Sequence, residues 1–202
     1  MKRLAGMITT WLIKQGAIGE CDRELYEYAA HSFFLAIAPF VYAIMIGSLM
    51  GERWISLVLV LPFAIIRKYS GGFHAKREWT CLVSSCLLLS GCILAASRMN
   101  NSVSFGGLVL LGVIWLIRFS PIDTENRRLE PDEKKLRKRE AGILSSFFYL
   151  MYLVLSLFGQ ERYAVCVGVG ILQTAGLQIP CILQKMTEKF KNRSFHSKGV
   201  EK

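Results

Sequence analysis

The chain has 202 residues, of which 52% are hydrophobic, and carries a formal net charge of +10. Its charges are concentrated between long apolar runs, a distribution that excludes an ordinary soluble domain and points to a lipid environment. The excess of Lys and Arg reads first as a topology signal, and no nucleic-acid partner is expected.

The first 20 residues place Leu4, Met7, Ile8, Trp11 and Leu12 at helical spacing, opposite Lys2, Thr9 and Gln15. This predicts an amphipathic helix lying in the membrane interface over residues 1–20. Lys14 breaks the apolar stretch and no small-residue cleavage pattern precedes Cys21, so a signal peptide is not expected. The helix either anchors by packing on the rest of the molecule or offers a docking surface to a substrate.

Apolar runs follow at residues 30–50, 54–66, 81–96, 103–119, 141–158 and 163–183. A hydrocarbon core of about 30 Å requires roughly 20 helical residues, so most of these runs span with help from their flanks. The expected fold is an all-α integral membrane protein with six transmembrane helices in a single domain, residues 1–202. The second run is the weakest, because its residues would rise only about 20 Å.

Lys and Arg are retained on the cytoplasmic side of short connections. Of the 25 such residues, all but Arg53, Arg98 and Arg162 fall before the first span, after the second, after the fourth or after the sixth. Both termini are therefore expected in the cytoplasm. A basic loop over residues 118–140 and a basic tail over residues 184–202 share that side. Beyond setting orientation, these charges suit anionic membrane lipid or a charged partner. Within the 118–140 loop, turn residues come first, and the alternating charges that follow could extend the fifth span as a helix.

Gly47 and Gly51 form a GxxxG at the end of the first span, a pattern that permits close helix contact and is common in membrane helices. Of the six cysteines, Cys86, Cys92, Cys166 and Cys181 lie inside apolar spans, where a thiol behaves as a small hydrophobe. No CxxC occurs, and neither a metal site nor a cofactor is expected.

The stretch RKYSGGFHAKREWTC, residues 67–81, is polar between two apolar runs. His74 and Cys81 are seven residues apart, which in one continuous helix means about 10.5 Å of rise, beyond hydrogen-bond reach. A working pair needs irregular backbone between them, and Ser70, Gly71 and Gly72 supply a hinge before the histidine. Because the short second span cannot cross the core, a re-entrant or irregular loop is expected before the third span, dipping into the cytoplasmic side of the bundle. Thr80 reads as an N-cap, which would leave Cys81 in the first turn of the third span, where the helix dipole and nearby Lys76 and Arg77 favour a thiolate. His74 would then act as base and acid, and Arg67 would either snorkel or hold a substrate carbonyl or carboxylate. On spacing alone, a lone His and a lone Cys near a loop are more often incidental, and the stretch then reads as a connector. Two ligands are too few for zinc, and neither an HExxH nor a GxSxG is present.

The combination of Arg67, Gly71, Gly72, His74 and Cys81, and more loosely PIDTEN at residues 121–126, resembles the AgrB family of bacterial quorum-sensing membrane endopeptidases. The resemblance implies that Cys81 is the nucleophile and His74 its partner, with Arg67 and Gly72 also required. It implies an AgrD-like propeptide as substrate, an enzyme thioester, closure of a thiolactone or lactone ring, and a homodimer. It also implies residence in the bacterial cytoplasmic membrane, with the active site near the cytoplasmic face. Glu78 and Asp123 are the carboxylates to consider as orienters of His74, and each also reads as an ordinary loop charge. The competing classes are a peptide exporter and a non-catalytic membrane scaffold. No span carries Asp, Glu or Lys near its middle, as many coupled transporters require; His31, Gln173 and Gln178 are the hints of a polar path.

Overall fold

A computed structural model of the chain describes residues 2–71, 78–122 and 130–199. Its elements run α1 (Lys2–Lys14), a 3₁₀ turn (Glu20–Asp22), α2 (Arg23–Leu49), α3 (Arg53–Ser70), α4 (Glu78–Arg98), α5 (Val103–Phe119), α6 (Pro131–Leu157) and α7 (Glu161–Gly199). Among the described residues, three segments are long and apolar enough to cross a membrane by length and composition: Glu20–Leu49, Pro131–Leu157 and Glu161–Leu183. Shorter apolar helices occupy Ser84–Arg98 and Val103–Phe119.

α7 is the element around which the others assemble, contacting α3, α4, α5 and α6. Small residues allow this. A Cβ on Gly170 would run into the Leu59 carbonyl and lie 2.6 Å from Pro62 Cγ, so α3 approaches α7 to backbone distance. The apolar core joins Leu59, Val60 and Ile66 of α3 to Val109, Val113 and Leu116 of α5 and to Val165, Val167 and Ile171 of α7. α2 lies outside this centre, packed on α1 and α3.

Local chemistry explains the boundaries. Ser102 caps α5 by accepting a hydrogen bond from Phe105 N at 3.2 Å. α6 opens on Pro131, with Asp132 and Glu133 in its first turn, where their charge complements the helix dipole. The alternating charges after residue 130 thus belong to the start of α6.

Two readings of the sequence change in the structure, and a third acquires its place. The second apolar run lies in a helix longer than the run itself: α3 has 18 residues, about 27 Å at ~1.5 Å each, because helical hydrogen bonding continues past Arg67 and Lys68 to Gly71. Thr9, assigned to the polar side of the first helix, is fully buried and donates to the Ala5 carbonyl at 3.0 Å. α1 packs on α2 and buries its small residues Ala5 and Thr9, leaving Leu4, Met7, Ile8 and Trp11 exposed. Gly47 and Gly51 serve contacts within one chain: a Cβ on Gly47 would collide with Ser56 of α3, and Gly51, at φ +72°, makes the turn between α2 and α3.

Candidate functional site

The bundle has two polar ends. At one, Glu52 pairs with Arg162 at 3.3 Å across the α2–α3 and α6–α7 turns. Nearby in the chain, Tyr152 donates to Asn101 Oδ1 at 2.7 Å, and Asn101 Nδ2 donates to Ser156 Oγ at 2.9 Å. A cleft of about 550 Å³ opens here, lined by residues 51–55 and 159–163. It lies far from the 67–81 stretch along the helices, and Glu52 and Arg162 of its lining pair with one another.

The other end, where α3 and α5 finish and α4 and α6 begin, carries the polar stretch. Arg67 sits in the last turn of α3 with its guanidinium carbon 5.4 Å from the centre of the Phe63 ring, a cation–π placement of the charged head. Four residues on, the backbone leaves the helix at Gly71, whose φ of 71° and ψ of −166° lie in a region essentially restricted to glycine. A Cβ there would also lie 2.8 Å from the Ile122 carbonyl oxygen. Gly71 is therefore required twice, for its backbone angles and for the close approach of the chain after α5.

That approach is held by hydrogen bonds inside the molecule. Ile122 N donates to the Ser70 carbonyl at 3.0 Å. The same carbonyl accepts from Gln178 Nε2 of α7 at 3.2 Å, and Gln178 Nε2 also donates to Ser120 Oγ at 2.9 Å. Ser70, Ser120 and Gln178 are all buried. Arg137 of α6 adds a contact to the Lys68 carbonyl at 3.4 Å while pairing with Glu133. The ends of α3 and α5 thus meet on α7, and the two polar connections of residues 72–77 and 123–129 depart from one point.

Of the residues singled out in the sequence, Arg67 and Gly71 are described in full. Cys81 and Glu78 lie in the first turn of α4, described by their backbone only. Because α4 begins at Glu78, Thr80 falls within that turn and does not cap it from outside. Gly72, His74 and Asp123 lie outside the described residues. Gln178, Ser120 and Ser70 were not recognised as a unit from sequence. The available signal was an amide, Gln178, within an apolar run.

The profile of the accessory gene regulator B family, AgrB, matches residues 5–182. The chain belongs to the AgrB family. Among its relatives, a protein of Clostridium perfringens (strain SM101 / Type A) named as AgrB-like is 24% identical over 79% of each chain. The accessory gene regulator protein B of Staphylococcus lugdunensis is also 24% identical, over 79% of this chain and 81% of its own. Protein FsrB of Enterococcus faecalis is 21% identical over 90% of this chain and 76% of its own. No solved structure matches. The AgrB match runs from within α1 through α2–α6 and into α7 as far as residue 182, so the polar clasp at Ser70, Ser120 and Gln178 lies wholly within the shared region.

Proposed function

We propose that this AgrB-family chain is a membrane cysteine endopeptidase that processes an AgrD-like propeptide into a cyclic quorum-sensing signal. The observation that carries the reading is the place of the 67–81 stretch: it leaves α3 through a glycine-only turn and re-enters helix with Cys81 in the first turn of α4. A thiol at the positive end of a helix dipole is favoured as thiolate, the nucleophilic form.

In this mechanism the Cys81 thiolate attacks the carbonyl at the junction with the propeptide's C-terminal tail. The C–N bond breaks as His74 delivers a proton to the leaving amine, the tail departs, and the acyl group remains as a Cys81 thioester. A thiol or hydroxyl within the peptide then attacks the thioester. The ring closes, Cys81 is released, and the proton returns to His74. The thioester keeps the acyl group activated for attack by the internal nucleophile, so ring closure itself needs no ATP, and an apolar bundle around the site limits competing hydrolysis. Arg67 would hold a carbonyl or carboxylate of the substrate, and Gly72 would give the histidine segment its freedom. Glu78 and Asp123 are the candidate orienters of His74.

The same reading takes the chain as a multi-pass protein of the bacterial cytoplasmic membrane, dimeric, with both termini and the active site on the cytoplasmic side. The exposed Leu4, Met7, Ile8 and Trp11 of α1 would lie in the interface, beside anionic lipid and an incoming amphipathic peptide. The test is co-expression with an AgrD-like open reading frame and mass spectrometry for a peptide–enzyme adduct. Cys81→Ala and His74→Ala are each expected to abolish tail release while leaving membrane insertion intact. Tail release from Cys81→Ala would overturn the nucleophile assignment.

A further inference from the structure

Gln178 is fully buried in α7, 97 residues from Cys81 in sequence, yet its amide reaches the ends of two other helices. The Ser70 carbonyl can only accept, which orients the amide with Nε2 toward it. Ser120 Oγ then accepts from the same nitrogen. On the other side of the amide, Gln178 Oε1 has no hydrogen-bond partner among the described residues.

A buried amide whose oxygen finds no partner carries the desolvation cost of that oxygen, and an apolar side chain of similar size would fill the same space without it. Gln178 is therefore a poor choice for stability alone. What it supplies that leucine cannot is a fork of two hydrogen bonds joining the last residue of α3 to the first residue beyond α5. The joint is completed by Ile122 N on the Ser70 carbonyl and by the contact of Gly71 with Ile122. Gly71 opens directly into the segment bearing His74, so the placement of that segment depends on where Ser70 is held.

We propose that Gln178 is a positioning residue for the Cys81–His74 chemistry, acting through Ser70 and Ser120 to hold the base of the histidine segment against the chain after α5. The inference rests on the endopeptidase reading above. Gln178 touches neither substrate nor nucleophile in this scheme; it sets the point from which the histidine segment starts.

The test uses the full-length protein in detergent or vesicles with an AgrD-like propeptide as probe. Gln178→Leu is expected to lower kcat for tail release by about 10–100-fold, the scale of a misplaced catalytic group, while KM stays within roughly threefold and the melting temperature holds. Ser120→Ala, which removes one arm of the fork, is expected to give a smaller loss of the same kind. Combined with Gln178→Leu, it should add little. Amide hydrogen exchange provides a readout independent of activity: in Gln178→Leu, residues near 70 and near 120 should lose protection together, with the rest of the bundle unchanged. An unaltered kcat and unaltered exchange in both variants overturn the proposal. So does a parallel fall of kcat, substrate binding and bundle-wide protection, which marks a purely structural residue. If the wild-type protein releases no tail, the endopeptidase reading fails separately. The clasp is then judged on exchange, where joint loss at both helix ends supports it and loss at neither or only one end overturns it.

Discussion

Gly71 shows how much one residue decides at the candidate site. Its positive φ is disfavoured for L side chains, and the space a Cβ would need is taken by the Ile122 carbonyl. Gly71→Ala is expected to destabilise the fold by about 1–3 kcal/mol and to lower the yield of folded protein, read by thermal melting in detergent. The control is Gly91→Ala. Gly91 is in α4 with nothing within 4 Å of its would-be Cβ, so the change should be neutral or stabilising by up to ~1 kcal/mol. The sequence marks Gly71 as a hinge by its polar setting, and the neighbouring chain at Ile122 adds a steric requirement that Gly91, on an exposed helix face, lacks.

Among the elements, the helices are joined at both ends by polar contacts and through the middle by close packing. At the end away from the polar stretch, Asn101 links the start of α5 to α6 by accepting from the buried Tyr152 hydroxyl and donating to Ser156. Asn101→Ala strands that hydroxyl and is expected to cost about 1–3 kcal/mol, whereas Tyr152→Phe removes the donor itself and should cost only about 0.5–1.5 kcal/mol. Melting curves of the two variants test the order. In the middle, Gly170→Val would force a branched side chain against the Leu59 carbonyl and Pro62, separating α3 from α7. Overpacking of this kind costs about 1–3 kcal/mol or more, and a lowered melting temperature or loss of folded protein is the expected result. The exposed Glu52–Arg162 pair is a weaker tie, and Arg162→Ala should change stability by no more than ~1 kcal/mol.

For the whole molecule, orientation is the prediction that joins charge to function. Cys21 is exposed at the start of the bundle, on the side that the distribution of Lys and Arg assigns to the cytoplasm. In intact cells a membrane-impermeant thiol reagent should leave Cys21 unlabelled and label it after permeabilisation, while Gln160→Cys, at the opposite end, should be labelled in both. Labelling of Cys21 from outside would overturn the orientation and with it the cytoplasmic placement of the proposed active site.

The helical class, the apolar runs and the 67–81 stretch were legible in the sequence because a bilayer imposes long apolar segments and restricts polar residues to their ends. Family membership was legible for the same local reason, since the motif's residues lie close together in the chain. The buried faces were less so. Thr9 looked polar and is buried, because α1 turns its small residues toward α2; the GxxxG promised close helix contact without naming the helices, and Gly47 supplies it between α2 and α3. Gln178 looked like part of a polar path, and only the assembled bundle brings its amide to Ser70 and Ser120. A buried hydroxyl such as Thr9 can bond back to its own helix, but the longer amide of Gln178 finds its partners at the ends of other helices. Which groups meet depends on the rotation and depth of several helices packed at once, whereas the periodicity of any one helix specifies only its own faces.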